Sequence, residues 1–231
     1  MTTFRPRILQ CPHCNNKMST YELTSYMVHS SVTYSDGKVV SNSPKMSDKN
    51  ILICSKCNNE FWRNDAFLED DYHNTAYDEL PEAMDFHDLP FAFDSDYSFK
   101  LATHLSELLE RGFANTVERE VFLRFEIWHL LNNNNRSDSH GLFKKNSDRI
   151  VVNDSDKAGD LFKNNLSRLI SIYKPENDDQ RLMLAEMHRE LGNFSQALSV
   201  LDEIENVNNN IAYKKIKSAT KKKNSKVINL N

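Results

Sequence analysis

All four cysteines of the chain fall in two identical spacings, Cys11-Pro12-His13-Cys14 and Cys54-Ser55-Lys56-Cys57. Two such pairs with no cysteine left over are what one tetrahedral metal site requires. A two-residue gap lets the backbone fold into a tight knuckle that aims both sulfurs at one point. Knuckle N–H groups can then donate to the thiolates. Soft thiolates at about 2.3 Å suit zinc, and four of them close its coordination shell. Cys11, Cys14, Cys54 and Cys57 are therefore the candidate ligands of a structural Zn2+, with no open position for a substrate. A redox dithiol or an iron–sulfur site uses similar residues. The second, identical pair argues for shared coordination instead. Pro12 presets the backbone of the first knuckle. His13 lies inside that knuckle and is expected to point outward, leaving four sulfurs as the ligand set.

The segments that must position these sulfurs read as strands. Ile8-Leu9-Gln10 leads into the first pair and Ile51-Leu52-Ile53 into the second. Between them, Tyr26 to Tyr34 is β-rich and roughly alternating. Asp36-Gly37 supplies a turn and Val39-Val40 begins a return strand. Phe61 and Trp62 are expected to cover the small core. Strand-fed knuckles with a hairpin between them resemble a zinc ribbon over about residues 7–63. The resemblance implies a small antiparallel β unit whose thin core depends on metal.

Further along, the hydrophobic period becomes helical. Leu101, Leu105, Leu108 and Leu109 share a face, and Gly112 follows as a stop. Asn115 with Glu118 predicts an N-cap pair. The helix it opens carries Val117, Val121, Phe122, Phe125, Trp128 and Leu131, and Asn132 to Asn135 ends it. Residues 136–155 are polar and read as a long loop. Another helix uses Ala158, Leu161, Phe162, Leu166, Leu169, Ile170 and Tyr173, stopped by Pro175.

Residues 178–206 then place Ala185, Gly192, Phe194 and Ala197 at helix-turn-helix spacing, with Leu198, Leu201 and Ile204 beyond. This segment resembles one tetratricopeptide repeat, with His188 where the repeat usually has an aromatic residue. Small residues are wanted where the two helices touch, because only they permit close approach. The resemblance implies a helical stack that binds peptides or proteins, since one repeat cannot bury its own face.

Charge is distributed unevenly along the 231 residues. The net charge of −4 conceals +3 over residues 1–62, −10 over 63–96, −4 over 97–206 and +7 over 207–231. The acidic stretch also holds Phe67, Tyr72, Tyr77, Phe86, Phe91, Phe93 and Tyr97. Purely disordered acidic tracts are poor in aromatics, so this one reads as an ordered or semi-ordered connector. The final stretch has Lys214, Lys215, Lys217, Lys221, Lys222, Lys223 and Lys226, with no arginine and no acid. It reads first as a frayed, solvated terminus. The alternative is an electrostatic grip on nucleic acid, or on the acidic segment of this same chain.

Several function classes are excluded. With five glycines there is no G-x-G-x-x-G and no Walker-type loop. H-E-x-x-H and G-x-S-x-G are absent. Glu126-x-x-His129 is half of a di-iron motif whose second half is missing. No apolar run is long enough for a membrane span, and no secretory leader is visible, so a cytoplasmic location is expected.

The fold class is α+β: a small antiparallel β zinc ribbon (1–63), an acidic aromatic connector (64–97), a helical, tetratricopeptide-like bundle (98–213) and a lysine-rich tail (214–231). The function expected is a non-enzymatic adaptor or scaffold with a structural zinc, taking a protein or peptide partner on the helices. Nucleic-acid binding through the ribbon and the lysines is the alternative.

Overall fold

The computed structural model describes residues 3–25, 27–28, 30–41, 50–69, 80–85, 96–136, 155–205, 207 and 210–231. Of the expected loop at 136–155, residues 137–154 lie outside them, as does much of the acidic connector. Eight strands and six helices are formed by the described residues. Small antiparallel sheets precede a helical C-terminal part, in agreement with an α+β class. The chain divides into two compact units: Met1–His29 with Asn42–Asp94, and Ser30–Ser41 with Ser95–Asn231.

In the first unit β1 (Thr3–Gln10) pairs antiparallel with β2 (Lys17–Ser25) on one side and β7 (Phe67–Glu69) on the other. A second sheet has β5 (Ile51–Ile53) between β6 (Glu60–Trp62) and β8 (Met84–Asp85). The strands entering both knuckles are thus where the sequence placed them, and each strand leaving a knuckle returns beside its partner. Alternation sets which residues face the core: Leu9 and Met18 are opposed across β1 and β2, and Leu52 and Phe61 across β5 and β6. These four, with Cys11, Cys54 and Ala83, form one fully buried cluster. Trp62 is also buried.

The acidic stretch contributes directly to this unit. Ser19 N–H donates to the Pro81 carbonyl at 3.0 Å, and Ala83 N–H donates to the Ser19 carbonyl at 2.9 Å. Residues 84–85 then pair with β5. A single segment, 80–85, therefore stitches both sheets together, and its Ala83 enters the core between them.

The hairpin between the cysteine pairs belongs elsewhere. β3 (Ser31–Thr33) and β4 (Val39–Ser41) pair antiparallel around Asp36-Gly37, as the turn residues predict, but they group with the helices. Gly37 has φ +79°, and a Cβ there would come within 3.1 Å of the Met183 side chain. Only glycine meets both demands.

The helices are α1 (Tyr97–Glu110), α2 (Val117–Asn132), α3 (Ser155–Ile172), α4 (Asp178–Glu190), α5 (Phe194–Asp202) and α6 (Ile211–Lys221). Each packs on the next in sequence. The N-cap of α2 is Thr116 rather than Asn115. The Thr116 hydroxyl accepts from Arg119 N–H at 3.3 Å, while Asn115 instead accepts from the Arg119 guanidinium at 3.0 Å. A hydroxyl directly before the first helical residue is the better placed of the two caps. Asn177 and Asn210 cap α4 and α6 by accepting from Gln180 and Tyr213 N–H. Between α4 and α5 the chain turns at Gly192, φ +80°. Ala185 and Ala197 are both fully buried in this helix pair.

The C-terminal residues are ordered, which corrects the frayed-tail reading. Tyr213, Ile216, Ala219 and Thr220 bury one face of α6, and Val227 packs on Val32 and Tyr34. Leu230 N–H donates to the Thr33 carbonyl and Ser35 N–H to the Ile228 carbonyl, each at 2.9 Å. Lys214, Lys215, Lys217 and Lys221 are thus on the wetter side of an amphipathic helix, and Lys222, Lys223 and Lys226 are exposed in the segment that follows it.

Candidate metal centre

The four cysteine sulfurs converge, all lying within 4.8 Å of one another. Cys14 Sγ is 3.6 Å from Cys54 Sγ, and Cys11 Sγ is 3.9 Å from Cys57 Sγ. Four sulfurs about 2.3 Å from a central ion sit about 3.8 Å from each other in an ideal tetrahedron. The observed spacing is that of thiols sharing a metal ion, and it is too long for a disulfide. All four are free cysteines.

The two halves of the site repeat each other. His13 N–H donates to Cys11 Sγ at 3.4 Å, and Lys56 N–H donates to Cys54 Sγ at 3.4 Å. Asn15 N–H reaches the Cys11 carbonyl and Asn58 N–H the Cys54 carbonyl, both at 2.9 Å. Cys11 N–H returns to the Asn16 carbonyl and Cys54 N–H to the Asn59 carbonyl. Asn15 and Asn58 have φ of +59° and +55°, the left-handed conformation that turns the chain out of the knuckle into the next strand. Asparagine is the non-glycine residue that visits this region most readily. The signal is present in the sequence as a repeated Cys-x-x-Cys-Asn-Asn, longer than the cysteine spacing alone. Segment 80–85 is the other contributor that cysteine spacing does not disclose.

Burial differs within each pair. Cys11 and Cys54 are buried, while Cys14 and Cys57 are partly exposed. Burial pushes the Cys11 thiol up to about 12. At Cys54 burial acts in the same direction, but the N–H groups of Cys57 and Lys56 and the neighbouring thiols outweigh it and bring the group to about 7. Four sulfurs at this separation compete for negative charge, and a divalent cation is what allows all of them to ionise together. His13 takes no part: its ring lies at the surface and Nε2 donates to the Glu60 carbonyl at 3.2 Å. Phe61 is in the core around the cysteines.

The remaining candidates have other roles. His129 is partly buried, and its Nε2 donates to the Asp36 carbonyl at 2.9 Å. No described helix is long and apolar enough to cross a membrane. Comparison with protein-family models, curated proteins and solved structures returns no match.

Proposed function

We propose that the protein is a non-enzymatic interaction module: a structural Zn2+ held by Cys11, Cys14, Cys54 and Cys57 fastens the β unit, and the helical unit carries a protein or peptide partner. The convergence of four sulfurs carries the first half. Sulfur-only donors select zinc among the common divalent ions, and four of them leave no coordination position for a substrate. The ion would supply cross-linking of two hairpins whose shared core is only a handful of side chains.

The helical half of the reading rests on packing. α4 and α5 form an antiparallel pair with Ala185 and Ala197 buried in it and Gly192 at its turn. α4 also touches α6, as first helices of successive pairs do in a tetratricopeptide stack. Such stacks present extended surfaces rather than closed reaction chambers.

Purified protein should contain one equivalent of zinc per chain by elemental analysis. Cys54→Ala should release that zinc and unfold the β unit while far-UV circular dichroism retains the helical signal. Protein with no stoichiometric metal would refute the structural-zinc reading. A partner captured by the intact chain and lost when the helical unit is disrupted would support the second half.

A further inference from the structure

The lysines of α6 do not project into open solvent along a loose tail. Lys214, Lys215 and Lys222 border a cleft of about 350 Å³ between α6 and the segment that follows it. Ala219, Asn224 and Ile228 also line it. Ser218 adds a hydroxyl one helical turn from Lys214 and Lys222. The wall is held in place: Lys215 Nζ donates to the Asn231 carbonyl at 2.7 Å, and Asn224 N–H to the Ala219 carbonyl at 3.0 Å.

The residues lining the cleft include three lysines and no acidic side chain. Residues 207–231 contain seven lysines and neither aspartate nor glutamate. Lys217 is engaged by Asp202 at 2.9 Å, on the side facing α5. Lys221, Lys222, Lys223 and Lys226 are exposed and make no salt bridge among the described residues. A lining that mixes lysines with Ala219 and Ile228 suits a ligand that is anionic with an apolar member.

We infer that this cleft docks an acidic protein segment, with a short apolar side chain seated against Ala219 and Ile228 and its carboxylates on Lys214 and Lys222. The inference rests on the interaction-module reading and names the chemistry of its partner. A nucleic acid is the less suitable occupant. The rim has no arginine to fork onto phosphates. Its one aromatic, Tyr213, is buried with Lys217 over its ring, so no platform is offered to a base.

The test uses the full chain and fluorescence anisotropy. One probe is a labelled peptide of alternating glutamate and leucine. The controls are the same peptide with glutamine for glutamate and an oligothymidylate of equal charge. The acidic peptide should bind, weaken as salt is raised, and lose about tenfold or more in affinity with Lys214→Glu and Lys222→Glu combined. Lys214→Arg with Lys222→Arg should retain it. Lys214 is exposed on α6 and Lys222 is exposed at its C-cap, and circular dichroism checks that the helices persist. The inference is overturned if the acidic peptide does not bind, if charge reversal leaves its binding unchanged, or if the oligothymidylate binds more tightly. A natural partner that binds the helical unit and ignores the charge reversal would remove this inference alone and leave the interaction-module reading standing.

Discussion

Asn15 and Asn58 occupy equivalent places in the two knuckles, and the whole geometry of the site passes through their backbones. A positive φ costs an ordinary L-residue about 1–2 kcal/mol. Asparagine reduces that cost and glycine removes it. Asn15→Ala and Asn58→Ala should therefore each weaken metal retention by about fivefold, corresponding to ~1 kcal/mol. Asn15→Gly and Asn58→Gly should restore it. Chelator competition followed by a metal-sensitive dye measures both. Equal loss with glycine and alanine would show that the asparagine side chain, not the backbone conformation, is what matters. By contrast, His13→Ala should leave metal stoichiometry unchanged, because the imidazole bonds only the Glu60 carbonyl among the described residues.

Among the helices, α2 and α4 are joined by a buried polar cluster. Trp128 Nε1 donates to Glu190 Oε2 at 2.7 Å, and Asn132 Nδ2 donates to the same oxygen at 2.9 Å. Asp36 is paired with Arg136, and Glu186 with Arg189, all with fully buried side chains. Arg189 also donates to the carbonyls of Asn224 and Lys226, which ties α4 to the C-terminal segment. Burial holds the pKa of His129 below its ordinary value. Among the described residues, Arg136 pairs with Asp36, and Arg189 pairs with Glu186 and lies 3.8 Å from Glu190. Burial, then repulsion from Glu186 and Asp36, raise the Glu190 carboxyl well above the usual carboxylate range. A carboxyl that keeps its proton in the fold and loses it when unfolded makes stability fall as pH rises. The fall begins at the unfolded pKa and ends at the folded one, costing about 1.4 kcal/mol for each pH unit between them. Glu190→Gln keeps the acceptor for Trp128 and Asn132 and has no proton to lose. It should raise the denaturation midpoint at neutral pH and flatten its decline above about pH 4.3, the unfolded value of a glutamate. Chemical denaturation from pH 5 to 8 reads this slope; a destabilised Glu190→Gln with unchanged slope would mean that Glu190 is ionised.

At the scale of the molecule, the chain enters the helical unit, leaves it and returns. Residues 30–41 lie between the two cysteine pairs in sequence but belong to the helical unit. Their Asp36 accepts from Asn132 at 3.0 Å and pairs with Arg136. Removing one member of a buried ion pair costs about 3–5 kcal/mol, because the other charge stays desolvated. Asp36→Ala should therefore lower the stability of the helices by about that amount. It should leave zinc stoichiometry unchanged, although Asp36 sits midway between the ligand pairs. Thermal unfolding followed at the helical signal, alongside elemental analysis, separates the two effects. Loss of metal without loss of helical stability would assign the hairpin to the cysteine unit.

The sequence by itself determined the cysteine pairs, the strands Ile8-Leu9-Gln10 and Ile51-Leu52-Ile53 that feed them, the Asp36-Gly37 turn and the broad positions of the helices. These are local properties: spacing, periodicity of two or 3.6, and residues that tolerate only certain dihedrals. The repeated asparagines stand in the sequence after each pair, but their left-handed backbone was seen only in the structure. Only the tertiary structure decided that residues 80–85 join the two sheets, that the hairpin serves the helices, and that the C-terminal lysines line an ordered cleft. Each of those depends on which partner a segment meets, and that is set by the collective fit of distant apolar and hydrogen-bonding surfaces. A strand of three residues such as Val32 with its neighbours has the same alternation whichever sheet or helix it joins. Its destination is settled by contacts such as Asp36 with Arg136, separated by 100 positions in the chain.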